Sequence, residues 1–258
     1  MPSAVKGVHL LKQTLETLPI SKAFLVPAKN HLLNLFSKEL YENLSPSFKE
    51  VFFETGVVLH YPGETIEQVY FPLNCLVSVT IAMNNGATAE TALLGKHEVV
   101  GINAVLSRRP ATTQTTYMIQ QEGSALKIDA KVLRQEFNQS QELRDVLLDY
   151  TQALIAQVSQ TAACNSLHPL EQRFARWLLE VQVRSESNDL KITQEFIAHM
   201  LGVRRAGVTQ AAQKFKERGL IRYGRGHIQI IDQQGLESSA CECFSCLRKE
   251  YNRLLGGT

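Results

Sequence analysis

The sequence has no uninterrupted apolar run of about 18 residues, so it offers no helix that could span a bilayer. Its opening, MPSAVKGVHLLKQTLETLPI, lacks the continuous apolar stretch and small-residue cleavage site of a secretory signal, and a cytoplasmic protein without a membrane partner is expected. Cysteine is scarce and odd in number: five, three of them bunched at Cys241, Cys243 and Cys246, which does not suit a disulfide framework in a chain of 258 residues. With 15 glycines and 8 prolines the chain is neither collagenous nor a low-complexity linker, and 44% hydrophobic residues suffice for a core in one or two domains. Catalytic signatures are missing as well. There is no nucleophile elbow, P-loop or His-Glu-x-x-His, and no His-x-His pair with a following Glu of the kind a cupin-like metal enzyme would use. An enzyme is not expected.

A strong charge excess is also lacking, since the formal net charge is only +2. That sum conceals a split. Residues 1–203 carry 17 basic and 20 acidic side chains, residues 204–227 carry 7 and 1, and the last 31 carry 3 and 4. One short basic block therefore sits in a slightly acidic chain, and a block of this kind is a candidate footprint for a polyanion.

The hydrophobic pattern divides the chain further. Residues 1–30 read as a polar N-terminal arm. In 31–50, Leu32, Leu33, Leu35, Phe36, Leu40 and Leu44 recur at helical spacing up to Ser45-Pro46. From 51 to about 128, short β-rich runs (VFFETGVVLHY, VYFP, LVSVTIAM, TAETALL, TTQTTYMIQ, ALKI) alternate with turn residues, which predicts a sandwich, roll or barrel over 31–138. The period changes near Ala130. Between Lys131 and Leu167 there is no Gly or Pro, and Leu143, Val146, Leu147, Tyr150, Leu154 and Val158 form an apolar seam that predicts a long dimerisation helix over 139–167, the alternative being a helix whose seam packs on the β domain. Pro169 fits the first turn of a further helix, PLEQRFARWLLEVQVRS, and a final amphipathic segment, 236–258 with its start near 233, closes the chain.

The compact region 168–235 carries the strongest functional pattern. Thr193 reads as an N-cap ahead of QEFIAHML, Gly202-Val203 as a tight break, and Val208, Ala211, Ala212 and Phe215 as the buried face of a second helix that Gly219 stops. Two short helices around a Gly-containing turn predict a helix-turn-helix. A helix fits the major groove and reads base edges with its N-terminal residues, so Arg204, Arg205, Thr209 and Gln210 are the candidate base contacts. Arg grips guanine and Gln grips adenine through paired hydrogen bonds. Thr193, Gln194, Lys214 and Lys216 are candidate backbone contacts, and IRYGRGHIQII predicts a hairpin wing whose tip brings Arg225 and His227 to phosphate. The alternative for this segment is a helical hairpin with a solvated basic face.

These residues resemble the Crp/Fnr superfamily of bacterial transcription regulators. The resemblance runs through Tyr61-Pro62-Gly63-Glu64, Val69-Tyr70-Phe71-Pro72, the long helix and ITQEFIAHMLGVRRAGVTQAAQKFKERGLIRY. It implies an α+β protein: a cyclic-nucleotide-binding-like β-roll (a jelly roll), a dimerising central helix and a C-terminal winged helix-turn-helix, with an inverted repeat of double-stranded DNA, a second copy of the chain and RNA polymerase as partners. Arg205 falls where the family usually has a base-reading Arg; Ala206 stands in place of a frequent acidic reader and Gln210 in place of a second Arg.

The cassette that binds cyclic AMP in such proteins looks like Phe-Gly-Glu-Leu followed by Arg-Ser/Thr-Ala. Here the stretch is HEVVGINAVLSRRPATTQTT, with Ile102 and Asn103 after Gly101 and Ala111-Thr112-Thr113 in the second slot. The ribose acceptor and the phosphate cation are both replaced, so control by cyclic AMP is not expected, the effector is left unassigned, and Arg108 and Arg109 read as a solvated loop pair. No cofactor is expected. His60 or His97 could ligate a haem, but their spacing does not demand it. Cys241, Cys243 and Cys246 are the candidate ligands of an alternative, a redox- or metal-responsive DNA-binding regulator, for which Cys164 or a partner would have to supply a fourth donor. Thiols packed under a closing helix are the simpler expectation.

Overall fold

The computed structural model describes residues 29–256 apart from Arg225. The N-terminal arm assigned to 1–30 thus lies outside the described residues except at its end. There Asn30 already belongs to the next domain: its buried amide donates to the carbonyls of Pro72 (2.9 Å) and Glu98 (3.0 Å). The amphipathic run that follows is shorter as a helix than its leucines suggest. Ser37 caps helix α1 (Lys38–Leu44) by accepting from the Leu40 amide at 3.2 Å, and residues 33–35 form a single tight turn.

Seven strands form the roll. β1 (Lys49–Phe53), β7 (Gly123–Asp129) and β3 (Gln68–Pro72) make one sheet, in the order β1-β7-β3. β2 (Val58–His60), β6 (Thr116–Gln121), β4 (Leu76–Ala82) and β5 (Thr88–Leu94) make the other, in the order β2-β6-β4-β5. All pairings are antiparallel, so no crossover helices are needed, which the closely spaced turns already implied. The run VFFETGVVLHY is two strands in different sheets, turned at Thr55-Gly56. Between β5 and β6 in the chain, a short helix α2 (Asn103–Leu106) sits in the cassette stretch.

At Ala130 the strand period gives way to helix α3 (Ala130–Gln139), and Ser140 then breaks it and caps α4 (Gln141–Leu167) by accepting from the Leu143 amide at 3.2 Å. The seam of α4 does not do what its spacing suggested. Leu143, Leu147 and Tyr150 are wholly buried within the chain, in a cluster with Val69, Phe71, Val99, Ile102 and Val105 of the roll, and Val146 and Leu154 pack on the same cluster. The Tyr150 hydroxyl donates to the Val99 carbonyl (2.8 Å), and Gln157 donates to that of Leu93 (3.2 Å). Leu143, Leu147 and Tyr150 are thus occupied by the roll and are not free to face a second copy, Val146 and Leu154 are half-buried against it, and of the six Val158 alone is exposed. A second stripe is open to solvent: Leu148, Ile155 (61% exposed) and Val158, with Ala162 beyond.

Helix α5 (Leu170–Ser185) follows Pro169 and carries charged groups inward. Arg176 pairs with Glu180 (2.6 Å), Arg184 reaches Glu98 of the roll (3.1 Å), and the Trp177 indole donates to Glu90 on β5 (2.8 Å). Charges this deep are tolerated because each has a partner. Leu76 and Leu93 of the roll share one core with Phe174, Trp177, Leu178 and Phe215, so the C-terminal region is packed directly on the roll. The remaining elements are β8 (Asp189–Leu190), α6 (Gln194–Leu201), α7 (Arg205–Glu217), β9 (Ile221–Gly224), β10 (His227–Ile230), α8 (Gln233–Ser239) and α9 (Cys243–Leu255). The closing segment, read as one amphipathic run, is therefore two helices with a break at Ala240-Cys241-Glu242.

Candidate nucleic-acid interface

Thr193 caps α6: its hydroxyl accepts from the Phe196 amide at 3.1 Å. The helix ends on Gly202, whose φ of +63° is left-handed, and the Val203 amide donates back to the Ala198 carbonyl at 2.9 Å. A residue with a side chain would be strained at that angle, which is why a glycine sits between the two helices. Ile197, Ala198, Met200 and Leu201 from α6 and Val208, Ala211, Ala212 and Phe215 from α7 are buried in one core, α6 against α7 and β5 of the roll and α7 against α5, with the Phe174 and Phe215 rings stacked at 5.5 Å.

That burial fixes the opposite face. Arg204, Arg205, Thr209 and Gln210 are all exposed, on or just ahead of the first turns of α7. Thr209 is held in place: its hydroxyl donates to Gln194 Oε1 (2.7 Å) and lies 3.1 Å from the Arg205 carbonyl. The candidate backbone contact Gln194 thereby ties the N-terminus of α6 to the reading face. Gln213, one turn beyond Gln210 and equally exposed, lies on the same face and donates to Glu217 (2.8 Å). It was missed because only the opening turn was read for base contacts.

The basic groups differ in availability. Lys216 is exposed and has no salt-bridge partner among the described residues. Lys214 is paired with Glu171 of α5, an ion pair in which both side chains remain open to solvent. The wing exists as β9 and β10, paired antiparallel with His227 opposite Gly224, and β8 adds a third strand along β10. Arg225, at its tip, lies outside the described residues. His227 is paired with Asp189, and Arg222 on β9 donates to Gln229 (3.1 Å) while remaining exposed.

The roll's cassette stretch has the opposite character. Ile102, Ala104, Val105 and Ala111 are buried in the core beneath α4, and Arg108 and Arg109 are exposed on the loop that follows. Gly101 has φ +87°, and a Cβ there would lie 3.1 Å from both the Gln68 carbonyl and His60 Nε2. His60 packs beside the rings of Tyr70 (5.7 Å) and Tyr117 (5.5 Å), and burial pushes its pKa down to about 4. His97 lies edge-on to His31 at 4.3 Å, and burial, with the charges around it, pushes its pKa down to about 3. Both are neutral packed imidazoles at physiological pH.

The cysteines are regrouped. Cys246 is exposed, whereas Cys241 and Cys243 meet Cys164 and His168 from the end of α4. Convergence comes from the break before α9, which leaves Cys241 off the helix. Cys164 Sγ is 3.5 Å from Cys241 Sγ, and the hydrogen bond with Cys241 pulls the Cys164 pKa down to about 5 while raising that of Cys241. Cys75, alone on the roll, is pushed up to about 12 by burial and is inert.

Two known families match the two halves of this architecture. Residues 50–140 match the cyclic nucleotide-binding domain, and residues 172–239 match the Crp-like helix-turn-helix domain. The chain belongs to the Crp/Fnr superfamily. It is a Crp-like transcription regulator with a DNA-binding helix-turn-helix, and the family is one of regulators, not of enzymes. It is 24% identical over 204 residues to a CRP-like cAMP-activated global transcriptional regulator of Mycobacterium tuberculosis, covering 76% of this chain and 90% of that one. It is 22% identical over 215 residues to the global nitrogen regulator of Synechococcus elongatus, covering 81% and 96%. In fold it is similar to FixK2 from Bradyrhizobium japonicum, with a TM-score of 0.65 at 16% identity over 75% of this Crp/Fnr chain and 98% of that one. No helix among the described residues is long and apolar enough to cross a membrane.

Proposed function

We propose that this Crp/Fnr regulator binds an inverted-repeat operator as a homodimer, reads bases with α7, and does so without cyclic AMP. The observation that carries the reading is the outward face of α7, where Arg205, Thr209 and Gln210 are exposed side by side while the reverse face is fully buried. In this reading Arg205 grips guanine, Gln210 and Gln213 are placed for adenine, and Arg204, Lys216 and the wing meet phosphate. The dimer forms along α4 through Leu148, Ile155, Val158 and Ala162. Leu148, Ile155 and Ala162 recur every seven residues with Val158 between, the spacing of a coiled-coil seam. Two copies related by that axis would enter successive major grooves, and RNA polymerase would be the further partner.

The test compares two alanine variants of the full chain on a bound operator and its point mutants. Arg205→Ala should cost about 1–3 kcal/mol per half-site on the preferred sequence and flatten preference at one base pair. Lys216→Ala should weaken all sequences alike and reduce the salt slope by about 1. Equal, sequence-blind losses from both would exclude this docking.

A further inference from the structure

Cys164 lies in the last turn of α4 and His168 is the extended residue that caps it, and Cys241 and Cys243 flank Glu242 where α8 gives way to α9. The four donor atoms, three Sγ and one imidazole nitrogen, all lie within 4.8 Å of one another. Two of the separations are 3.5 Å, Cys164 Sγ to Cys241 Sγ and Cys243 Sγ to His168 Nδ1. A zinc ion with Zn–S of about 2.3 Å and Zn–N of about 2.0–2.1 Å holds tetrahedral ligands about 3.5–3.8 Å apart, so the side chains already stand at nearly the edges of one coordination sphere.

We propose that Cys164, His168, Cys241 and Cys243 form a tetrahedral zinc site that clasps the two ends of the DNA-binding unit. The surroundings fit a metal better than a packed thiol cluster. Cys164, Cys241 and Cys243 form a small buried cluster of their own, apart from the three main apolar cores. A polar imidazole nitrogen is aimed at them, and Gln160 donates to Cys243 Sγ at 3.0 Å. With His168 Nδ1 turned to the ion, its Nε2 lies 3.3 Å from Glu242 Oε1, the carboxylate that orients a ligating histidine and raises its basicity. Three thiolates and one neutral imidazole around Zn²⁺ leave one net negative charge, and the guanidinium groups of Arg173 and Arg176 lie within electrostatic reach of Cys164 and Cys241. Soft thiolates with an imidazole select zinc among common divalent ions, and four protein ligands leave no open position, so the ion is structural. Donors gathered this closely surround one ion; a multi-iron cluster would hold its thiolates further apart.

The site's position gives it a consequence. Cys164 and His168 immediately precede Pro169 and α5, and Cys241 and Cys243 immediately follow α8, so the ligand pairs bracket the helix-turn-helix and wing. One ion would fasten the entrance and exit of the output domain to the last turn of the long helix and close the loop between them.

The test is metal analysis of the full-length protein purified without chelator, followed by cobalt(II) titration of the demetallated protein. The expected result is one zinc per chain, and for cobalt the thiolate charge-transfer and intense d–d absorption of a tetrahedral centre. Cys243→Ser and His168→Ala should each weaken zinc binding at least about 10-fold, Glu242→Gln about 10-fold, and Cys246→Ser not at all. The Cys246→Ser and Glu242→Gln variants leave the thiol cluster intact, so they keep the test readable if a ligand variant fails to fold. Absence of metal, a Cys164–Cys241 disulfide, iron with inorganic sulfide, or equal loss in Cys246→Ser would each overturn the proposal. None of these outcomes bears on base reading by α7, which the Arg205 and Lys216 variants test separately.

Discussion

The cassette stretch of the roll and helix α7 of the output domain face opposite ways. The cassette has turned apolar and inward: Ile102, Val105 and Ala111 fill the core beneath α4, and its two arginines are left on an exposed loop. The recognition helix keeps its polar groups outward on a firmly buried base. The difference teaches that a substitution in the first region acts through folding, whereas one in the second acts through DNA.

The largest expected effect is on the inward side. Leu147→Ala, at a wholly buried position against the roll, should cost about 2–5 kcal/mol of stability by denaturant titration. Ile155→Ala, on the open stripe of the same helix, should leave monomer stability nearly unchanged and weaken self-association in sedimentation experiments. If the two phenotypes were exchanged, the assignment of the helix faces would be wrong.

Glu90 gives a smaller, pH-dependent effect where the roll meets α5. It lies on β5 beneath Trp177, and burial lifts its pKa to about 7 from 4.5. The folded chain therefore binds a proton that the unfolded chain has released between those pH values, and the carboxyl progressively destabilises the fold as pH rises through that window. Glu90→Gln keeps an acceptor for the indole and removes the ionisation. Its stability relative to wild type should be about 2 kcal/mol more favourable at pH 8 than at pH 5, measured by denaturant midpoints. A difference independent of pH would contradict the buried, partly protonated carboxyl.

The smallest effect is expected from cyclic AMP itself. Without a Glu at the ribose position or an Arg in the second cassette slot, the nucleotide should shift neither the melting temperature nor operator affinity. A concentration-dependent rise in Tm would mean that other groups, such as Arg108 or Arg109, hold the phosphate.

Local signals made much of this legible. The change of period at Ala130, the Thr193 cap, the Gly202 break and the buried quartet on α7 are encoded within a few residues of one another, and the structure has each where the sequence puts it. What depends on distant partners was not legible. The periodicity of α4 marks an apolar face without saying which neighbour covers it, so Leu143, Leu147 and Tyr150 looked like a dimer seam until the roll was seen to occupy them. The Lys214–Glu171 pair, between residues 43 apart, leaves no local mark in the sequence. The cysteine group was only partly legible for the same reason: Cys246 stands beside Cys241 and Cys243 in the sequence, whereas the fold joins Cys243 and Cys241 to Cys164 and His168 across more than 70 residues.

The central claim is that two copies of α7 read DNA on either side of a two-fold axis running along α4. Repeated selection of the full-length protein on random duplexes tests it most directly. The expected consensus is an inverted repeat with half-site centres about one helical turn, roughly 10 base pairs, apart, each half containing a guanine whose preference disappears in Arg205→Ala. Enrichment of a single unpaired site, or no enriched sequence at all, would contradict the account.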